Sequence, residues 1–234
     1  MNRESNSYTI IYAVIMVVFV ALGLSFTHQS LLSRQTANEN IDKMQQLLRS
    51  LNIDADSKEA SVRYNELISD AYLITSDGEK IEGTEGTSPD DPAFSTELSD
   101  QSDDELPVYE VSIDGKKVYI IPMTGTGLWG SIWGYLAIEE DGSTIYGADF
   151  GHAGETPGLG AEIGTRSFGL QFEGKELIKS GAFRSIAIVK PGQTESRRDY
   201  VDGISGGTIT SQGVDKMLLN SVSKYESFLM KLNS

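Results

Sequence analysis

The first strong feature of the hydrophobic pattern is an uncharged run near the amino terminus. Residues 8–26, YTIIYAVIMVVFVALGLSF, carry no charged side chain. At ~1.5 Å per residue in a helix, this run is about long enough to cross a ~30 Å hydrocarbon core. It predicts a retained transmembrane helix, with a cleaved signal peptide processed near Ala21–Gly23 as the alternative. Arg3 is partly offset by Glu4 before the run, and Arg34 and Lys43 follow it, so the flanking charges do not orient the helix.

After this run, apolar residues recur at the spacing of an amphipathic helix. Between residues 30 and 51 they lie three or four positions apart, which places them on one helical face. The pattern predicts a stalk helix over residues 29–51, following an anchor helix and short tail over residues 1–28. The apolar face consists of Ile41, Met44, Leu47, Leu48 and Leu51.

Residues 52–107 have a weaker pattern. The segment 61–75, SVRYNELISDAYLIT, predicts a short helix that runs into a strand. Nine acidic residues follow between Glu82 and Glu105, with few large apolar side chains among them. This composition is typical of a solvated loop, and a docking surface for a basic partner is the alternative. We therefore expect an acidic, loop-rich accessory region here.

From residue 108 onward, the alternation is that of strands. Hairpins are predicted around Asp114-Gly115 and Asp141-Gly142, because Asp-Gly between alternating segments favours tight turns. Residues 214–232 carry an apolar stripe at helical spacing and predict one terminal helix. Hairpins combined with flanking helices predict an α+β fold, in which residues 108–234 form a domain around an antiparallel sheet.

Charge and composition exclude several classes of function. The net charge of −15 disfavours nucleic-acid binding, because nucleic-acid phosphates would be repelled. The chain contains no cysteine, so it has neither a disulfide nor a cysteine-ligated metal or cluster. His28 and His152 are its only histidines, and no spacing of carboxylates predicts a metal site.

Two short motifs match known functional motifs but lack their context. GTGLWG, residues 125–130, matches the dinucleotide-binding fingerprint, but that fingerprint needs a helix where this sequence predicts a strand. GISGG, residues 203–207, matches the nucleophile elbow of α/β-hydrolases, but no histidine follows Ser205 to complete a triad. We therefore expect no catalytic residues from either motif.

The stretch VDGISGGTITSQG, residues 201–213, places glycines and hydroxyl side chains directly before the terminal helix. Gly206 and Gly207 allow a ligand to approach the backbone closely, and a helix start favours an anion such as phosphate. Thr210 or Ser211 is expected to cap the helix. The stretch predicts a phosphate that is held, or covalently attached, at the helix start.

Three segments carry a resemblance to a known family. Residues 125–142, 152–163 and 201–214, which include GTGLWG, HAGETPGLGAEI and VDGISGGTITSQGV, resemble the C subunit of the bacterial sodium-translocating NADH:quinone oxidoreductase. The single amino-terminal anchor also fits, whereas residues 52–107 contribute nothing specific. The G subunit of the Rnf electron-transport complex has a similar pair of loops, and the GTGLWG segment favours the quinone-reductase family.

The resemblance implies an FMN esterified through its phosphate to Thr208. The family's attachment motif, Asp-x-x-Ser/Thr-Gly-Ala-Thr, falls on residues 202–208. Gly207 stands where the family usually has alanine, and we expect the missing methyl group to loosen the backbone slightly. Thr210 remains a minor alternative acceptor. The motif residues expected to bind the cofactor are Asp202, Ser205, Gly206, Gly207 and Thr208.

The same resemblance implies the surroundings of the flavin ring. The ring would lie against the loop of residues 155–160, with Trp129 as a further neighbour; a place in the buried core is the alternative for Trp129. The expected loop contacts are Glu155, Thr156, Gly158 and Leu159.

The resemblance also implies a place in the cell. The protein would be an electron-transfer subunit in the bacterial inner membrane, with a single-pass anchor in the lipid bilayer and its soluble domain on the periplasmic side. Its partners would be the other subunits of the quinone reductase and a flavin transferase that takes FMN from FAD. From the residues alone, an anchored extracytoplasmic module that binds a free anion remains an alternative.

Overall fold

The structure is a computed structural model that describes residues 6–96, 104–113 and 115–234. Its contacts divide the chain into two compact units, residues 1–42 and residues 43–234. Helix α1 (Asn6–Ser50) forms the described part of the first unit and also supplies the first residues of the second.

The large apolar side chains of α1 from Ile10 to Leu32 are exposed. Phe19 is 75% exposed and Phe26 is 78% exposed, and the most apolar window of α1 has a mean hydropathy of 2.5 with no buried residue. A continuous apolar surface of this kind is what a lipid bilayer covers. The expected apolar helix is confirmed, and it suggests a membrane anchor.

Several predicted features lie outside the described residues. They are the flanking charges of the anchor, three of the acidic residues between 82 and 105, and one turn residue. The residues concerned are Arg3, Glu4, Glu97, Asp100, Asp103 and Asp114.

The second unit is a sheet with helices on both faces. After α1, its elements are α2 (Ala60–Leu67), β1 (Ile68–Ile74), α3 (Pro92–Ser95), β2 (Leu106–Ile113), β3 (Lys116–Thr126), β4 (Ser131–Glu139), β5 (Ile145–His152), α4 (Arg166–Gly169), β6 (Ile178–Lys179), β7 (Ala182–Phe183), β8 (Ala187–Val189), β9 (Tyr200–Asp202), α5 (Thr208–Ser223) and α6 (Glu226–Leu232). Short 3-10 turns at Gly160–Gly164 and Leu170–Phe172 flank α4. The predicted helix-to-strand run and both predicted hairpins are present.

Five strands form an antiparallel meander in the order β1-β2-β3-β4-β5. The sheet with its flanking helices confirms the predicted α+β class. Strand β1 pairs with β2 from Ile68↔Val111 to Ile74↔Leu106. The sheet therefore contains strands from both predicted segments, residues 52–107 and 108–234. The domain boundary expected between them stays a prediction.

Both faces of the sheet are buried within the second unit. Residues Val118 to Met123 of β3 are all buried, which explains their continuous apolar run. On one face, β3 and its neighbours form the main core with α5 and α6. On the other face, the Trp133 indole N–H donates to Gln46 Oε1 at 2.8 Å, and the Tyr109 hydroxyl donates to the Ala93 carbonyl at 2.8 Å. The end of α1 and the segment around α3 thus cover this second face.

Helix α5 packs along the part of β3 that β2 leaves unpaired. The β2–β3 ladder ends at the Tyr109↔Ile120 pair, and a proline, which has no N–H to donate, follows in β3. Beyond this point, Ser221 of α5 bonds Thr124: its Oγ accepts from the Thr124 N–H at 3.2 Å and donates to the Thr124 carbonyl at 3.1 Å. These bonds fix α5 against the end of β3 that leads into the turn at residues 127–130.

The prediction of one terminal helix over residues 214–232 is wrong in its bounds. The helical segment starts six residues earlier, at Thr208, and is interrupted between Ser223 and Glu226. The break lets Tyr225 donate its hydroxyl to the Pro107 carbonyl at 3.0 Å. The apolar stripe is nevertheless buried as predicted at Val214, Met217, Leu218, Ser221, Tyr225 and Phe228.

Candidate functional site

The candidate site is built around the first turn of α5. Thr208 is the first helical residue and is exposed, and Gly207 before it provides no side-chain cap. The first N–H groups of a helix have no partner within the helix. Because the helix dipole places positive potential at the same point, this turn can stabilise a negatively charged group.

The expected cap at Thr210 or Ser211 is wrong, because the helix begins before both residues. The Thr210 hydroxyl donates instead to Glu155 Oε2 at 2.6 Å and is 1% exposed. Ser211 Oγ accepts the Ile204 N–H at 2.9 Å. Both hydroxyls therefore hold neighbouring loops against the helix, and neither caps it.

The turn before the helix depends on two glycines. Gly206 has φ +78°, a left-handed conformation that glycine adopts without strain. A methyl group on Gly207 would lie 3.1 Å from Ile204 Cβ and 3.2 Å from the Gly160 amide nitrogen. An alanine at this position would therefore fit only if Ile204 or Gly160 moved by a few tenths of an ångström. The expected loosening of the backbone stays a prediction.

Glu155 links three segments of the site. Its Oε1 accepts the Trp129 backbone N–H at 2.8 Å, and its Oε2 accepts the Thr210 hydroxyl. The Glu155 N–H donates to His152 Nδ1 at 3.3 Å. One carboxylate thus joins the turn at residues 127–130, the loop after β5 and the first turn of α5.

Hydrogen bonds keep this buried carboxylate ionised. Burial raises the pKa of Glu155, but the donors from Thr210, Trp129 and Leu128 outweigh burial and hold the pKa below its usual range. Such charge-assisted bonds to a carboxylate are stronger than bonds between neutral groups. Glu155 therefore stays negatively charged at neutral pH.

The glycines around Glu155 are required by close packing. A methyl group on Gly127 would lie 2.5 Å from Glu155 Oε1, and one on Gly160 would lie 2.5 Å from Oε2. A methyl group on Gly213 would collide with the Thr126 carbonyl oxygen. Many glycines of GTGLWG and of the loop at residues 155–160 are therefore needed because neighbouring segments pack closely against them. The strand predicted after GTGLWG is present as β4.

Two clefts meet at Thr208. The first has a volume of about 230 Å³ and lies between the first turn of α5 and the loop of residues 155–160. Its walls include three partly exposed apolar side chains: Leu128, Leu159 and Ile209 are 47%, 41% and 54% exposed. The second cleft has a volume of about 420 Å³ and is bordered by β8 and the loop after it. Gly206 and Thr208 line both clefts.

The first cleft brings together most of the residues expected near the cofactor. Those that line it are Glu155, Thr156, Leu159, Gly206, Gly207 and Thr208. Ser205 lines the second cleft instead.

Three expected residues line neither cleft. Asp202 ends β9, where its N–H donates to Gln171 Oε1 at 3.0 Å. The Gly158 N–H donates to Glu162 Oε1 at 3.1 Å. Trp129 is 69% exposed, so the alternative that it lies in the buried core is wrong.

Residues 127–223 match the family model described as FMN-binding domain. The C subunit of the Na(+)-translocating NADH-quinone reductase of Vibrio vulnificus is 30% identical over 227 residues, covering 91% of this chain and 89% of that protein. The chain belongs to the family of these C subunits. The corresponding protein of Pseudomonas aeruginosa is 28% identical over 254 residues, covering 99% of this chain and 97% of that protein.

Solved structures of this family agree with the assignment. The crystal structure of the C subunit from Parabacteroides distasonis is 50% identical, with a TM-score of 0.80, over 85% of this chain and 96% of that chain. NqrC of Shewanella oneidensis is 25% identical, with a TM-score of 0.67, over 83% of this chain and 98% of that chain. The resemblance expected from the sequence is confirmed.

The residues around Thr208 fit the two chemical parts of FMN that the family model implies. The start of α5 offers N–H donors and positive potential to a phosphate, and Leu128, Leu159 and Ile209 offer apolar surface to a flat ring. A volume of about 230 Å³ is below the ~300–1,000 Å³ of most small-molecule pockets. A flavin in this cleft would therefore remain partly at the surface.

Sequence reasoning missed three residues of the cleft wall. Leu128 and Ile209 supply apolar surface, and Gly160 packs against Glu155 and Thr210. The sequence contained a signal for Ile209. It is an apolar residue between two threonines, and it lies off the apolar stripe that faces the core, so its side chain is free to line a binding surface. Nothing in the sequence indicated that Leu128 and α5 would meet. Among the described residues, no cluster of candidate metal ligands is present.

Proposed function

We propose that this chain carries FMN on Thr208 through a phosphoester and serves as an electron carrier in a sodium-translocating NADH-quinone reductase. The observation that carries the proposal is an exposed threonine hydroxyl at the first residue of α5, beside a cleft with apolar walls. The matched relatives are subunits of that reductase, and the matched domain is described as FMN-binding. FMN supplies the redox chemistry when bound, and the protein supplies position and electrostatics.

The attachment we propose is a group transfer from FAD, catalysed by a separate flavin transferase. Thr208 Oγ1 forms a bond to the phosphorus of the FMN half, the pyrophosphate bond breaks, AMP leaves, and the hydroxyl proton is released. Thr208 is favoured over Thr210 as acceptor because Thr208 is exposed, whereas the Thr210 hydroxyl is buried and donates to Glu155.

Each part of the first turn then has a role toward the cofactor. The phosphodiester keeps one negative charge, which the positive end of the helix dipole and the unpaired N–H groups of the first turn of α5 stabilise. Leu159 and Thr156 line the side of the cleft on which the ring would lie. The residues that complete the proposed cofactor region are Asp202, Ser205, Gly158 and Trp129.

The membrane placement is part of the same proposal. The apolar helix anchors the chain in the lipid bilayer, with residues 1–28 as anchor and tail and residues 29–51 as stalk. The soluble domain lies on the periplasmic side of the bacterial inner membrane. The other subunits of the reductase are its partners in electron transfer.

Intact mass and in-gel fluorescence test the proposal directly. The full chain is expressed with and without a flavin transferase, purified from membranes in detergent and dialysed. We expect an added mass of FMN less one water, and a band that fluoresces under ultraviolet light after denaturing electrophoresis, only when the transferase is present. Thr208→Ala should lose both signals, and Thr210→Ala, the matched control, should keep them.

Two results would contradict the proposal. A fluorescent band that survives in Thr208→Ala would assign the flavin to another residue. A flavin that is removed by dialysis would favour the alternative of an anchored module that binds a free anionic ligand at the same helix start.

A further inference from the structure

Glu155 is an unusual group to find in the wall of a cleft. Among the residues that the structure describes, it is the most deeply buried charged residue, with 4% of its surface exposed. It also lines the cleft beside Thr208, together with Leu128 and Leu159. A buried charge is costly unless it is well bonded, so its presence needs a reason.

The bonds of Glu155 compensate its burial without removing its charge. Its donors are the Thr210 hydroxyl and two backbone N–H groups, those of Trp129 and Leu128, all of which are neutral. In the described part of the chain, the groups that influence the pKa of Glu155 include neither a lysine nor an arginine. His152 is the one ionisable side chain among them, and its effect is to lower that pKa.

The position of this charge matters for any electron placed in the cleft. Interactions between charges are screened less by buried surroundings than by water. The fixed negative charge of Glu155 therefore repels an electron that is added to a group beside it, which makes reduction of that group less favourable. The hydrogen bonds also hold the carboxylate in place, so its distance to the cleft does not depend on side-chain motion.

We propose that Glu155 is a positioning residue that also lowers the reduction potential of the flavin, by holding a fixed negative charge in the wall of the cleft beside Thr208. This inference rests on the proposed function, since it requires a flavin on Thr208. It assigns Glu155 an electrostatic effect on electron transfer in addition to its structural bonds.

Three variants distinguish the effect of the Glu155 charge on the flavin from the effect of the Glu155 hydrogen bonds. Glu155→Gln removes the charge and keeps the shape of the side chain. Thr210→Val removes one hydrogen bond and keeps the charge. Glu162→Gln removes a charge of the same type from the neighbouring 3-10 turn, where Glu162 accepts the Gly158 N–H and does not line the cleft.

The test is the midpoint potential of the covalently bound flavin, measured by spectroelectrochemistry on the full chain in detergent. Each protein is first checked for flavin content by intact mass. We expect a positive shift of the potential in Glu155→Gln, larger than the shift in Glu162→Gln. We expect Thr210→Val to remain near the wild-type potential, because the carboxylate is retained.

Each other outcome overturns the inference. Equal potentials in wild type and Glu155→Gln would show that the charge has no effect. Equal shifts in Glu155→Gln and Thr210→Val would show that Glu155 acts only through its bonds. A Glu155→Gln chain without flavin, beside a loaded wild type, would assign Glu155 to cofactor attachment instead. Wild-type protein without flavin is a different failure, since it contradicts the proposed function itself.

Discussion

The first turn of α5 has two sides with opposite surroundings. Its outer side, Thr208 and Ile209, is exposed, whereas its inner side, Thr210 and Ser211, is buried and bonds to neighbouring loops. The two threonines are the same residue type, two positions apart, at the same helix start. Burial and hydrogen bonding, and not residue type, therefore decide which hydroxyl is accessible from outside the protein.

The largest effect on stability is expected where the inner side is packed most closely. A methyl group in Gly160→Ala would collide with the Thr210 hydroxyl and lie 2.5 Å from Glu155 Oε2. Overpacking costs ~1–3 kcal/mol, and separating a buried pair adds ~1–3 kcal/mol. We expect a loss of about 3 kcal/mol in the free energy of unfolding, measured by urea denaturation of the full chain in detergent.

The matched control for this prediction is Gly154→Ala. A methyl group there meets no atom within 4 Å, and Gly154 is not among the glycines with positive φ. We expect a change of less than about 0.5 kcal/mol in this variant. If Gly160→Ala were as stable as Gly154→Ala, the inner side would not be closely packed.

A smaller effect is expected from removing one hydroxyl on each side. Thr210→Val leaves Glu155 Oε2 without the Thr210 donor, and loss of a buried partner costs ~1–3 kcal/mol. Thr208→Val removes an exposed hydroxyl and should change stability by less than about 0.5 kcal/mol. Thermal unfolding of the two variants, both without flavin, checks this contrast. Equal losses of stability would show that the two sides of the turn do not differ.

The sequence predicted more of the fold than of the site's interior, and the reason is physical. The alternation of apolar and polar residues around Asp141-Gly142 and the apolar stripe from Val214 to Phe228 are local patterns. They can be seen in the sequence because one face of each element is buried. The start of α5 was predicted too late, because Thr208 and Ile209 lie off the apolar stripe and no cap residue precedes them. Local pattern thus predicts the body of a helix better than its ends.

The contacts of Glu155 show what a sequence cannot predict locally. The segments that it joins are 26 and 55 residues away along the chain, at Trp129 and Thr210. The pairing of β3, β4 and β5 brings Trp129 beside Glu155, and the packing of α5 against β3 brings Thr210 to the same place. The resemblance indicated that the loop of residues 155–160 belongs near Thr208, but neither it nor the pattern predicted a buried carboxylate as the connecting group.

The smallest expected effect concerns the pH dependence of stability, and it tests the buried inner side of the turn most directly. The pKa of Glu155 is lower in the folded protein than its usual value, because its hydrogen bonds outweigh burial. A carboxylate with a lowered pKa stabilises the folded state above its unfolded pKa of ~4.3, and this contribution is lost as pH falls through the folded pKa.

The measurement is the difference in the free energy of unfolding between wild type and Glu155→Gln, from urea denaturation at several pH values. We expect the part of this difference that depends on charge to be constant from about pH 7 to 5.5 and to decrease below about pH 4. Asp149 acts in the opposite direction, since burial raises its pKa despite the bond from Arg49. Because Asp149 is present in both proteins, its contribution cancels in the difference. A difference that grows as the pH falls would mean that the pKa of Glu155 is raised in the folded state, and the inner side of the turn would then not stabilise a charge.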